Sequence, residues 1–129
     1  MAVGVLTNQT LDPINGFYSA TYTAAGSVSA SGVYIGFVPR VIRMTQIGGT
    51  PGATSRVSFH ESMTAAYVVL EGANGALTIG TSNGFTLTTG SEASPVAIAT
   101  GSPNSAGPGF VIGTSAQTAS LIYKLEAYR

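Results

Sequence analysis

The clearest pattern along the chain is an alternation of period two near its end. Leu121, Tyr123, Leu125 and Ala127 alternate with Ile122, Lys124, Glu126 and Tyr128. One apolar and one mixed face at that spacing predict a half-buried antiparallel strand over residues 119–128. Residues 55–61 behave alike, with Val57 and Phe59 on one face and Arg56, Ser58 and His60 on the other. From Val33 onward, short β-branched and aromatic runs lie between Gly, Pro, Asn and Ser breaks. They predict further strands at 33–37, 40–47, 66–71, 76–79, 85–88, 96–99 and 110–112. Pro39 lacks a backbone donor, which places it at an edge or a strand start. Asn74-Gly75 and Asn83-Gly84 are the strongest hairpin signals, because both residues of each pair tolerate positive φ. No window of eleven residues carries a convincing helical stripe. Residues 61–71, with Ser62 as a candidate N-cap, come nearest, but Tyr67-Val68-Val69-Leu70 before Gly72 favours a strand.

The first third reads differently. Asp12-Pro13, Asn15-Gly16 and the Ala/Ser/Gly run at 24–32 are turn and linker signals. Phe17, Tyr18 and Tyr22 lie within this stretch, and aromatic residues there imply that it docks on something. The expectation is an all-β chain with an extended N-terminal arm at 1–32. A single antiparallel β-sandwich or barrel, jelly-roll-like, would follow at 33–129. Periodicity does not separate sandwich from barrel. The long, small-residued stretch at 89–109 is expected to be functional or partner-bound rather than idle.

Composition narrows the function classes. The chain has 129 residues, one domain by length, and only 8% are charged. Five Lys and Arg balance five Asp and Glu, so the basic excess of a nucleic-acid binder is missing. There is no cysteine, hence no disulfide scaffold and no thiolate metal site. The apolar runs are too short to span a bilayer, and the first residues lack the basic region of a signal peptide. Asn8-Gln9-Thr10 has the form of a glycosylation sequon and is read as chance. Gly, Ala, Ser, Thr and Pro make more than half of the chain. Free soluble domains keep charge for solubility. Small neutral side chains lose little entropy on contact, which suits a subunit packed among protein neighbours.

Catalytic parts are scarce. His60 is the only histidine, and in a strand it points away from its neighbour Glu61. A triad would need an acid from elsewhere on the His60 face. Asp12, Glu61, Glu71, Glu92 and Glu126 are scattered, with no carboxylate dyad, calcium loop or zinc set apparent, and no glycine motif has the context of a phosphate loop. The expectation is a non-enzyme without cofactor or metal. Arg40, Arg43 and Arg56 gather three of the five positive charges in one third of the chain. They fit docking on an acidic partner surface or, more plainly, a solvated sheet face. Candidate interface residues are therefore Phe17, Tyr18, Tyr22, Arg40 and Arg43. Tyr67 with Glu71 is a weaker candidate for a glycan site.

Several segments in order resemble one kind of protein. Gly36-Phe37-Val38-Pro39-Arg40-Val41-Ile42-Arg43-Met44 is similar to a segment of small virion-associated proteins of tailed bacteriophages. Phe59-His60-Glu61 with Met63, Thr81-Ser82-Asn83-Gly84-Phe85, Gly109-Phe110-Val111-Ile112-Gly113 and the Leu121–Ala127 run resemble later segments of the same family. The likeness covers about residues 34–128. This chain departs from it in having His60 where relatives carry a second aromatic residue, and in the insertion at 89–109. The resemblance implies a virion structural protein of the capsid decoration (cement) type, with no catalytic residues to transfer. Its partners would be the major capsid protein and its own copies, as a homotrimer, and neither nucleic acid nor membrane. Its place would be the capsid surface, after synthesis in the host cytoplasm. The alternative is a tail, fibre or glycan-binding subunit of the virion.

Overall fold

The computed structural model describes residues 2–49, 54–72, 74–90 and 96–129. They form ten strands: β1 (Val5–Asp12), β2 (Phe17–Thr23), β3 (Ser31–Tyr34), β4 (Val41–Gly48), β5 (Thr54–His60), β6 (Val68–Gly72), β7 (Leu77–Gly80), β8 (Phe85–Thr89), β9 (Pro108–Ile112) and β10 (Ile122–Tyr128). A single 3-10 turn, Thr114–Ala116, precedes β10. The strands build a seven-stranded antiparallel sheet, β1-β2-β10-β4-β5-β6-β7, and a three-stranded one, β3-β9-β8. The all-β expectation holds, and of the two architectures left open the fold is sandwich-like, without a closed barrel.

Register explains the core. Across the large sheet, Tyr18, Ala127, Ile42 and Phe59 stand in one row, and Ala20, Leu125, Met44 and Val57 in the next. All eight are buried. They face Val33, Phe85, Phe110 and Ile112 of the small sheet, where Phe59 and Phe85 meet with ring centroids 6.3 Å apart. A side chain such as Leu125, fully enclosed at the middle of β10, is worth about 2–5 kcal/mol against alanine. Strands with one face on such a core and the other in solvent need the period-two pattern that β5 and β10 show.

The N-terminal expectation is corrected. The described part of the 1–32 stretch is not an arm: β1 and β2 are strands of the large sheet, and β2 pairs with β10 over its whole length. Tyr18 and Tyr22 are fully buried in the chain's own core. The turn signals there belong to a hairpin. Asp12 accepts hydrogen bonds from the backbone N–H and side-chain amide of Asn15 (3.1 and 2.8 Å), and Gly16 takes φ +76°. These bonds hold the Asp12 carboxyl below its usual range. The register shift between Thr7 and Thr10, with Asn8 at φ +51°, marks a bulge that breaks the alternation of β1.

Other boundaries moved less. The strand expected at 33–37 is Ser31–Tyr34. β4 starts just after Pro39 and lies inside the sheet, so the proline marks a strand start. Asn74-Gly75 does turn β6 into β7, but Asn83-Gly84 carries the chain from the large sheet to the small one. The Gly84 carbonyl accepts the Gly113 N–H at 2.9 Å. A Cβ on Gly113 would run into the carbonyls of Asn83 and Gly84, so only glycine allows that crossing.

Residues 96–99 form no regular strand. They lead into a strap that joins the two sheets along one side. Gly32 donates to Ala97 O (2.8 Å) and its carbonyl accepts from Ala99, while Leu6 donates to Thr100 O (2.8 Å) and the Gly4 carbonyl accepts from Thr100. The strap makes one isolated bridge to each of two strand edges, Ile98 beside Gly32 and Thr100 beside Val5, and forms no ladder of its own. Gln9 Nε2 donates to Gly101 O at 2.7 Å and Asn104 N–H to Tyr34 O at 3.1 Å. The described part of the 89–109 stretch is thus tied to its own domain, while residues 91–95, including Glu92, lie outside the described residues.

One end of the core is polar. Gln117, buried, accepts from the Tyr22 hydroxyl at 2.7 Å and donates through Nε2 to Ser29 O (3.0 Å), Ile112 O (3.2 Å) and Gly113 O (3.3 Å). Ser31 Oγ accepts the Gly4 N–H and donates to Ser29 O. Burial pushes the phenols of Tyr18 and Tyr22 above the ordinary value of 10.0. Between pH 10 and those raised values the unfolded chain loses protons that the folded one keeps. The stabilisation is complete well below pH 10 and falls as pH rises, by at most about 1.4 kcal/mol per pH unit for each phenol. Denaturant midpoints at pH 9, 10 and 11 are expected to drop steeply over the last unit, and less steeply in Tyr18→Phe. A midpoint flat to pH 11 would show that neither phenol is enclosed.

Candidate functional site

The solvent face of the large sheet gathers most of the chain's chemistry. Residues opposite the core row must point outward, so the register fixes its rows. One row runs Ser19, Glu126, Arg43, Ser58, Val69 and Ile79. The next runs Thr21, Lys124, Thr45, Arg56, Glu71 and Leu77. Phe17, Tyr128, Val41 and His60 form a third. Between these rows lies a cleft of about 630 Å³ with Ser58 at its centre, reached by Arg43, Arg56, His60, Glu71 and Glu126 and bordered by Val69 and Leu77.

The charges divide unequally. Arg56 pairs with Glu71 at 3.7 Å, a surface pair worth at most about 1 kcal/mol. Arg43 stands opposite Glu126 in register, yet Glu126 accepts the Tyr128 hydroxyl at 2.6 Å instead. That bond raises the Tyr128 phenol, and the charge on Arg43 partly counters it. Arg40 pairs with Glu61 at 3.6 Å. Arg129 donates to Pro13 O (3.0 Å) and Ile14 O and covers the Phe37 ring at 5.1 Å. Among the described residues, Arg43 and Lys124 make no ion pair and no side-chain hydrogen bond.

The five candidate interface residues do not stay together. Phe17 lies half-buried on the solvent face, its ring 5.4 Å from that of Tyr128. Tyr18 and Tyr22 are corrected to core residues: alternation along β2 sends them inward and Phe17 outward. Arg40 lies just before β4 on the exposed rim. Only Arg43 reaches the cleft. Tyr67 precedes β6, and Glu71, on β6, pairs with Arg56.

Ser58, His60 and two carboxylates share the cleft, but no hydrogen bond links them among the described residues. Glu71 is held by Arg56, Glu126 by Tyr128, and Glu61 by Arg40 beyond the end of β5. Nucleophilic catalysis needs the nucleophile and base within about 3 Å, with the base oriented by a third group. Among the described residues no three His, Asp or Glu side chains stand where they could hold a metal ion. No helix in them is long and apolar enough to cross a membrane.

Sequence reasoning missed Ser58, Glu126, Leu77 and Ile79 as neighbours. Each pattern was visible, but which strand lies beside which was not. Leu77 and Ile79 are 66% and 64% exposed on β7, an outer strand of the sheet, and Leu77 borders the cleft together with Val69. No protein-family model, no curated protein and no solved structure matches this chain.

Proposed function

We propose that this chain is a non-enzymatic structural protein that docks on the outside of a bacteriophage capsid and stabilises the shell as a decoration protein. The resemblance of segments within residues 34–128 supplies the class. The observation that carries a docking role is the pair of aliphatic side chains, Leu77 and Ile79, lying uncovered beside a nearly neutral sheet face. Exposed apolar groups gathered at one place mark contact surfaces, whereas scattered ones do not. The low charge supports the same reading, since small neutral side chains pack against neighbours at little entropic cost. Many bound copies would each add interface to the assembled shell and so stabilise it by mass action. In this reading the major capsid protein and further copies of the chain, as a homotrimer, are its partners. Because β1 and β2 are strands of the large sheet, this reading assigns docking to the solvent face and not to an N-terminal arm.

The test is the copy number of this chain in purified virus particles, relative to the major capsid protein. A ratio near one to one is expected. A ratio of a few per cent would move the chain to the tail or a vertex and favour a fibre or glycan-binding subunit. Absence from particles would overturn both.

A further inference from the structure

Among the described residues, Arg43 is a guanidinium without a hydrogen-bonded counter-ion. Its cross-strand partner Glu126 turns one carboxylate oxygen to the Tyr128 hydroxyl and forms no ion pair with Arg43. Its other neighbour across the ladder is Ser58, flanked along β5 by Arg56 and His60. A carboxylate set over Ser58 would meet the Arg43 fork, the Ser58 hydroxyl and the His60 ring together. Guanidinium and carboxylate match in planar, two-pronged geometry, which makes such pairs stronger than a point charge. Leu77 lies three strand spacings and one row from Arg43, roughly 16 Å, in the same cleft. An extended chain covers that distance in about four to five residues.

From these facts we infer that the solvent face of the large sheet takes an extended peptide segment of a partner protein. The segment crosses the strands with a Glu or Asp on Arg43 and an aliphatic residue about four positions away on Leu77 and Val69. Charge complementarity sets the acidic end. Glu71 and Glu126 at the margins admit one anionic group and repel a run of them, which disfavours nucleic acid. The aliphatic border, with no Phe, Tyr or Trp lining the cleft among the described residues, favours a peptide over a sugar, which would stack on an aromatic ring. This inference rests on the docking role proposed above and names the chemistry of its partner.

The probe is the blocked pentapeptide Ac-Glu-Thr-Val-Thr-Leu-NH2, titrated into the full chain while backbone amide shifts are followed. Its control carries Gln in place of Glu. The acidic peptide is expected to bind about fivefold tighter, about 1 kcal/mol, with shifts at Arg43, Ser58 and Leu77. The preference should shrink in high salt. Arg43→Gln should abolish it with the remaining spectrum unchanged, and Leu77→Ser should weaken both peptides alike. Equal affinity for the two peptides, shifts centred elsewhere, or a response to a sialylated trisaccharide and not to the peptide would each overturn the inference. Particle binding separates it from the shell reading. If the natural chain decorates particles and Arg43→Gln does so equally, this face is not the docking face although decoration stands. If the chain is absent from particles yet prefers the acidic peptide, the site stands and the shell reading fails.

Discussion

Deletion of residues 1–32 is expected to leave a chain that does not fold. The cut removes β1 and β2 together, and with them Leu6, Tyr18, Ala20, Tyr22 and Ala24 from the core. Losing a buried aromatic side chain alone costs about 3–5 kcal/mol, and two are lost here. Domains of this size are stable by roughly 5–15 kcal/mol in total. The deletion also strips β10 of its β2 partner over seven residues, from Ile122 to Tyr128, and turns a central strand into an open edge. Open edges invite pairing with other chains, so the truncated protein should aggregate. Near-ultraviolet circular dichroism and amide proton dispersion of 33–129 are the readouts. A well-dispersed spectrum, with tyrosine signals in fixed environments, would mean that the first two strands are an appendage after all.

Gln117→Glu should be strongly damaging although it barely changes the side chain's shape. The amide nitrogen serves three carbonyls, those of Ser29, Ile112 and Gly113, while its oxygen takes the Tyr22 hydroxyl. These bonds tie the segment before β3, the end of β9 and the turn before β10 to β2. A carboxylate keeps the partner of Tyr22 but turns an acceptor toward three acceptors. Each buried polar group left without a partner costs about 1–3 kcal/mol, so a total near 3–5 kcal/mol at neutral pH is expected. That corresponds to roughly 10–20 °C in melting temperature for a domain between the small and large classes. The new carboxyl would be raised above its unfolded value by the carbonyls around it. Its protonated form is favoured in the fold, so the deficit should shrink as pH falls and be largest above the raised value. Gln117→Leu removes the amide without adding charge and should lose stability independently of pH over the acid range. Thermal melts of both variants between pH 4 and 8 decide the matter. Natural-like melting of Gln117→Glu at pH 8 would show that the amide is not enclosed as described.

Much of the fold was legible because strands on a core carry it in their periodicity. β10 and β5 could be read directly from Leu121–Tyr128 and Ser55–Glu61, and β4, β6, β7, β8 and β9 from shorter runs between turn residues. β2 was legible in principle: Tyr18, Ala20 and Tyr22 alternate with Ser19 and Thr21. The turn signals on either side, and the bulge in β1, hid it among residues that read as a linker. The Val96–Ala99 run has strand composition, yet it strides between two sheets, a choice that propensity does not encode. Asn83-Gly84 has hairpin chemistry, but the same positive φ serves a crossing between layers.

The candidate site was legible only as parts. That Arg43, Arg56, Ser58 and His60 face away from the core follows from alternation, a property of neighbours in one strand. That Glu126 stands beside Arg43, and Leu77 beside Glu71, depends on β10 inserting between β2 and β4 and on β7 closing the meander. Those pairings join residues far apart in the chain, chosen by how the whole hydrophobic set is best buried. Tyr18 and Tyr22 went the other way, from docking anchors to core, for the same reason. What the sequence by itself determined is the strand character, the low charge and the face each side chain takes. What only the tertiary structure decided is which faces meet, because alternation is local and burial is a property of the assembled sheets.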